Sequence, residues 1–224
     1  MSLKPVKAVI FDMDGVLVNT EPHHVIIERK LFAGLNLNIT EEEHSSYMGK
    51  ATEVMWKEII RKHNLPYKVQ VLTDRNKKAI INYFSELKEI EVMPGVLNVL
   101  EGLYYKRIPL AVASSSDAET IKIILSRTDL SKYFLYKVSS ALVERSKPAP
   151  DIFLYTAALL SVKAEYCLVI EDSANGIKAA KTAGMRCIAY TGKYPGTQDQ
   201  SLADETINDF SQLEKILHKL TDLK

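Results

Sequence analysis

Two aspartates one residue apart, Asp12 and Asp14, close the apolar run Ala8-Val9-Ile10-Phe11 and are followed at once by Gly15. A carboxylate at the end of a buried strand needs a task, because taking it out of water is costly unless it is paired or chemically engaged. The same texture recurs along the chain. Ser114-Ser115-Ser116 ends a second apolar run, Glu171-Asp172 ends a third, and Ser146-Lys147-Pro148 stands just ahead of a helical pattern. One such residue would be an ordinary helix cap. Several at successive strand ends point to one crevice, since open α/β sheets bind ligands beyond the carboxyl ends of their strands.

If Asp12, Glu171 and Asp172 converge, two of their charges ~4 Å apart repel by roughly 4 kcal/mol at an effective dielectric of ~20. Either one carboxyl keeps a proton or a cation sits among them. Oxygen donors suit a hard divalent ion, magnesium (Mg2+) above all, and with no His/Cys cluster zinc is disfavoured. A magnesium–carboxylate crevice beside a lysine, a serine and a helix N-terminus is a site for a phosphoryl group. Plainer roles compete at each position. Ser116, with Glu119 three residues on, reads as a helix-capping box. Ser114 lies inside the strand end and reads as a phosphate contact. Asp172 alone would pass for an N-cap; beside Glu171 it reads as a metal ligand. Lys147 precedes Pro148, which predicts extended backbone and a fixed reach, and Pro150 suits a first helical position.

The elements that must position these residues alternate. Strand-like runs fall at 6–12, 108–115, 166–172 and 186–192, with a weaker one at 136–140. Helical patterns fall between the later ones, at 95–107, 117–128, 151–161 and 174–184. That alternation predicts a parallel sheet covered on both faces. From about 20 to 90 only helical periodicity appears, with Thr40 and Glu43 forming a capping box. The expected organisation is therefore an α/β core of residues 1–18 and 92–224 with an inserted all-helical domain over 19–91. Pro94-Gly95 supplies a turn at the second crossing.

Composition narrows the partners. The 224 residues are 46% hydrophobic and 25% charged, and 29 Lys and Arg nearly balance 28 Asp and Glu. This is no basic footprint for nucleic acid or an anionic membrane. No apolar run is long enough to span a bilayer and no signal peptide is read at the start, which predicts a cytoplasmic protein. Met1-Ser2-Leu3 are left out of the fold reading. Cys167 and Cys187 sit in apolar strand-like runs and read as buried free thiols.

The segments DMDGVLVNT, VASSS, SKPAPDIF and VIEDSANGI resemble, in order, the four motifs of the haloacid dehalogenase superfamily, within its β-phosphoglucomutase-like phosphatase branch. The resemblance implies a Rossmann-like parallel core with an inserted helical cap. It makes Asp12 the nucleophile that forms an aspartyl phosphate. Asp14 would be the general acid and then base, with its backbone carbonyl facing the metal. Asp172, helped by Glu171, would hold Mg2+ beside Asp12. Ser114, Ser115 and Lys147 would bind phosphoryl oxygens, and Gly15 would bring backbone N–H groups close to the phosphate. Glu21, His24, Lys50, Thr52 and Lys77 are the cap candidates for substrate contact.

Two departures stand out. Asn19 occupies a position where these relatives often carry aspartate. Counted from Gly49, the place of the mutases' phosphate-gripping arginine is Thr52, with Lys50 nearby, and their cap lysine falls at Asn76-Lys77. A mutase must hold two phosphates, so the sequence favours a phosphatase of a small phosphorylated metabolite, acting as a monomer or weak dimer. A phosphosugar mutase is the alternative. A phospho-acceptor signalling module is disfavoured by the large insertion and by Asp14, and a non-catalytic binding protein by the complete set of catalytic positions.

Overall fold

The computed structural model describes residues 4–47, 50–192 and 198–220, so Gly49 lies outside the described residues. The chain divides into two compact units, Met1–Thr20 with Glu89–Lys224, and Glu21–Lys88.

The first unit holds one six-stranded sheet. Its strands are β1 (Ala8–Phe11), β2 (Leu110–Ser114), β3 (Tyr136–Ser139), β4 (Cys167–Glu171), β5 (Arg186–Tyr190) and β6 (Glu205–Ile207). They lie in the order β3-β2-β1-β4-β5-β6, and every neighbouring pair is parallel. β1, β2 and β4 are buried along their whole length, which is why they read as unbroken apolar runs rather than alternating ones. The register decides where the polar residues meet. Phe11 lies level with Val112 on one side and Ile170 on the other. Asp12, Ser114 and Glu171 therefore emerge together at the carboxyl edge of the three central strands.

Among the described residues the α-helices of this unit are α5 (Val96–Tyr105), α6 (Ala118–Arg127), α7 (Asp151–Leu159), α8 (Ala174–Thr182) and α9 (Phe210–Leu220). Ile152 and Phe153 of α7 and Ile177 of α8 share one core with Ile10, Ala113 and Val169 of the sheet. Cys167 and Cys187 are buried and free, as the sequence indicates, and burial pushes the Cys167 thiol up to about 11. Two elements went unread. β6 is three residues long with two of them exposed, too short for any period. α9 did carry a signal, since Phe210, Leu213 and Leu217 are buried at helical spacing. Pro150 caps α7 rather than opening it, and Lys147 sits in a turn closed by Ala149 N–H donating to Ser146 O.

The two chain crossings at the end of this unit are zipped together. Met93 N–H donates to Leu17 O, and Asn19 N–H to Glu91 O, both at 2.9 Å. The Asn19 side-chain amide also donates to Glu91 Oε2 at 2.9 Å. That contact accounts for the departure at position 19, because an aspartate there would set two carboxylates face to face.

The second unit consists of α1 (Glu21–Gly34), α2 (Glu41–Ser45), α3 (Thr52–His63) and α4 (Val69–Glu86). Its core joins Phe32, Tyr47, Met55, Trp56, Ile59 and Leu72. No helix among the described residues is long and apolar enough to cross a membrane. Thr40 caps α2 by accepting from Glu43 N–H at 3.1 Å. The reciprocal half of the expected capping box is replaced, because the Glu43 carboxylate is taken by stronger donors. Tyr47 O–H (2.8 Å), His63 Nε2 (2.9 Å) and Lys62 Nζ (3.1 Å) all reach it.

Burial alone would raise the Glu43 pKa; the three donors outweigh it and bring it down to about 2. A carboxyl held below its unfolded value near 4.5 favours the folded unit above that pH and loses this contribution as pH falls towards about 2. In denaturant titrations, wild-type stability is therefore expected to fall across that window. Glu43→Gln is expected to start lower at neutral pH and to show a much shallower decline.

Candidate active site

Three carboxylates and one ammonium meet at the carboxyl edge of β1, β2 and β4. Lys147 Nζ donates to Asp12 Oδ1 at 2.6 Å, to Glu171 Oε1 at 2.7 Å and to the Ala113 carbonyl of β2 at 3.0 Å. These use all three of its N–H groups. The pairing is buried: the side chains of Lys147, Asp12 and Glu171 are 5%, 9% and 1% exposed. Burial alone would depress the lysine, but Asp12 and Glu171 outweigh it and hold it charged.

Glu171 is fully engaged on its other oxygen. Oε2 accepts from Asp172 N–H (2.8 Å), Ser173 N–H (2.7 Å) and the Ser173 hydroxyl (2.9 Å). Ser173 in turn caps α8 through Gly176 N–H, which rules out Asp172 as the N-cap. In this arrangement Glu171 orients Lys147 and the loop carrying Asp172.

Asp14 has its own set of hydroxyl donors. Its Oδ1 accepts from the Thr20 hydroxyl at 2.7 Å, and its Oδ2 from the hydroxyls of Ser116 (2.8 Å) and Ser114 (3.2 Å). Ser116 is therefore not the cap of α6. Asp117, one residue closer, does that by accepting from Glu119 and Thr120 N–H. The Ser114 hydroxyl is wholly buried and also accepts from Ser116 N–H, so it would meet a phosphoryl oxygen only by giving up these bonds. Ser115 is exposed, with its carbonyl held by the Ser140 hydroxyl. Thr20, a ligand to Asp14, was not singled out from sequence although it closes the DMDGVLVNT motif.

Gly15 adopts φ +79°, and a Cβ there would come 2.3 Å from Asp172 Oδ2. The turn after β1 and the Asp172 carboxylate are thus in contact. Burial first, then the neighbouring Glu171 and Asp12, push the Asp172 carboxyl well above its usual range. Asp12 is raised to about 7, by burial first; Lys147 opposes the rise and Glu171 and Asp14 add to it. One ammonium thus faces three carboxylates, leaving two negative charges when all are ionised. A divalent cation fits that excess and those oxygen donors. Among the described residues no three acidic, histidine or cysteine side chains form a ready-made ligand cluster. The fit rests on Asp12, Asp172 and backbone oxygen.

In the helical unit, Glu21 and His24 lie on α1, Thr52 opens α3 and Lys77 lies on α4. The His24 ring packs 6.0 Å from that of Phe84. Lys50 is paired with Glu58 at 2.7 Å and rests over the Tyr47 ring.

Residues 9–190 match the family described as haloacid dehalogenase-like hydrolase. The phosphorylated carbohydrates phosphatase of Thermotoga maritima is 36% identical over 186 residues, 81% of this chain and 83% of that protein. The beta-phosphoglucomutase of Bacillus subtilis is 30% identical over 185 residues, 80% of each. Among solved structures, CbbY of Rhodobacter sphaeroides in complex with xylulose-(1,5)bisphosphate superposes with a TM-score of 0.83 at 25% identity. That match covers 93% of this chain and 96% of that one.

Gly176 lies against Glu171: a Cβ there would sit 1.6 Å from Oε1. Gly102 of α5 has nothing within 4 Å of the same position. Gly176→Ala is expected to displace the carboxylate that orients Lys147 and to lower the thermal midpoint. Gly102→Ala should raise stability by about 0.5–1 kcal/mol. Thermal denaturation of the two variants checks the contrast.

Proposed function

Since the chain belongs to the haloacid dehalogenase-like hydrolase family, we propose that it is a Mg2+-dependent phosphatase of a small phosphorylated metabolite, a sugar phosphate foremost. The observation that carries this reading is the Asp12 carboxylate, fixed by Lys147 through Oδ1 alone, with a second carboxylate, Asp14, two residues on in its own set of hydroxyls.

Asp12 Oδ2, the oxygen that Lys147 does not hold, attacks phosphorus. The P–O bond to the substrate alcohol breaks, and Asp14 delivers the proton to the departing oxygen. Asp14 then takes a proton from the water that attacks the aspartyl phosphate, releasing inorganic phosphate and restoring Asp12. Lys147 stays charged throughout and offsets negative charge on the transferring group. Ser115 and the backbone N–H groups after Gly15 are the remaining phosphate contacts. Asp12, the Asp14 carbonyl and Asp172 would hold Mg2+, which when bound neutralises charge on the phosphoryl oxygens. The helical unit, Glu21–Lys88, is the cap that selects substrate and excludes water.

The similarity to a β-phosphoglucomutase keeps the mutase as a second reading. A mutase needs a grip on a second phosphate. Here the candidate cation, Lys50, is already paired with Glu58, and Thr52 is uncharged, which supports hydrolysis.

Phosphate release from a panel of sugar and polyol phosphates, with Mg2+ and with chelator, tests the proposal. Release that needs Mg2+ and falls by about 10³-fold or more in Asp12→Asn is expected. Conversion of β-glucose 1-phosphate to glucose 6-phosphate without phosphate release would establish the mutase instead.

A further inference from the structure

Asp172 follows β4 directly, one step past the last residues that the sheet pairs. The β4–β5 ladder ends with Glu171 level with Ala189, so Asp172 falls level with Tyr190. A carboxylate that is to meet a cation in one place needs its backbone fixed, because ordering a mobile ligand at the moment of binding lowers affinity. In this loop the fixing falls to side chains.

On one side the Asp172 N–H donates to Glu171 Oε2 at 2.8 Å. On the other the Asp172 carbonyl accepts from Gln200 Nε2 at 2.6 Å, and the same –NH2 group reaches the Tyr190 carbonyl at 3.4 Å. Both partners are acceptors, so the amide turns its nitrogen towards them and each of its two protons has a carbonyl. Gln200 thus bridges the ends of β4 and β5 just where their backbone pairing stops. It is delivered by a segment that is itself tied down. The Gln200 carbonyl accepts from Ala203 N–H at 3.0 Å, and Asp204 exchanges two hydrogen bonds with Cys187 of β5, both at 2.8 Å. Gln198, two residues earlier, contacts a different peptide: its Oε1 accepts from Ala174 N–H at the start of α8, at 2.9 Å.

We propose that Gln200 is a positioning residue for Asp172, and that its amide sets the affinity of the crevice for Mg2+. This rests on the reading above, in which Asp172 holds Mg2+. Gln200 acts on the ligand's own peptide, as the hydrogen-bonded outer partners of metal ligands do, whose loss typically costs about 10–100-fold in metal affinity. Gln198 secures the start of α8 and has no such share.

The test is the thermal midpoint of the full-length protein as MgCl2 is titrated at constant ionic strength, because a cation that binds only the folded state raises the midpoint by mass action. Gln200→Met keeps the reach of the side chain and removes the donor, while Gln200→Ala leaves room for water at the two carbonyls. In both, the Mg2+ concentration at which the midpoint begins to rise is expected to move up by about 10–100-fold, with a cooperative transition retained in chelator. Gln198→Met should follow wild type, and Asp172→Asn should lose the response. An onset unchanged in the Gln200 variants but abolished in Asp172→Asn would overturn the proposal and leave the metal reading standing. An equal shift in Gln198→Met would also overturn it, since the effect would then be a general loosening of the loop. No response in wild type, or one that survives in Asp172→Asn, would overturn the proposal together with the metal reading beneath it.

Discussion

A buried lysine with all three of its protons committed is the constraint on which the α/β unit is arranged. Lys147 joins Asp12 after β1, the Ala113 carbonyl of β2 and Glu171 of β4, so three neighbouring strands are tied at one point. A buried ion pair is weak evidence for net stability, since desolvation offsets much of the attraction. Its value here is positional. It leaves Asp12 with one oxygen held and one oxygen available, and it does so at the edge where the sheet register brings the strand ends level.

The loop after β4 is built in the same way. Glu171 spends one oxygen on Lys147 and the other on the backbone that carries Asp172 and Ser173. Gln200 then holds the Asp172 carbonyl from the far side at 2.6 Å. Two glycines make room: Gly15 for the Asp172 carboxylate and Gly176 for that of Glu171. The acidic pair at the end of β4 thus has two different tasks. Glu171 is a positioning residue, whereas Asp172 faces the turn after β1 and remains with unneutralised charge around it.

Much of this was legible in the sequence because it depends on short-range pattern. Five of the six strands and the helices between them follow from unbroken apolar runs alternating with helical periodicity, and the chemistry-bearing residues stand at strand ends. What was not legible depends on competition between nearby groups. Ser116 and Asp117 can each cap α6, and only the structure has the Ser116 hydroxyl drawn away to Asp14. Glu43 fits the capping box with Thr40, yet Tyr47, His63 and Lys62 win its carboxylate. Asn19 is a departure from the family pattern until Glu91 is seen opposite it. Sequence spacing names candidates for such contacts; the donors that arrive from elsewhere in the chain decide among them.

The central claim is that Asp12 itself becomes phosphorylated through its unheld oxygen. It is tested most directly by acid-quenching the enzyme during turnover of its best sugar phosphate with Mg2+ present and mapping the modification by peptide mass spectrometry. The account predicts a phosphoryl group that survives a cold acid quench and is cleaved by base and by hydroxylamine, on the peptide containing Asp12, assigned to that residue and absent from Asp12→Asn. Turnover with the phosphoryl group on another residue, or phosphate release that persists undiminished in Asp12→Asn, would contradict it.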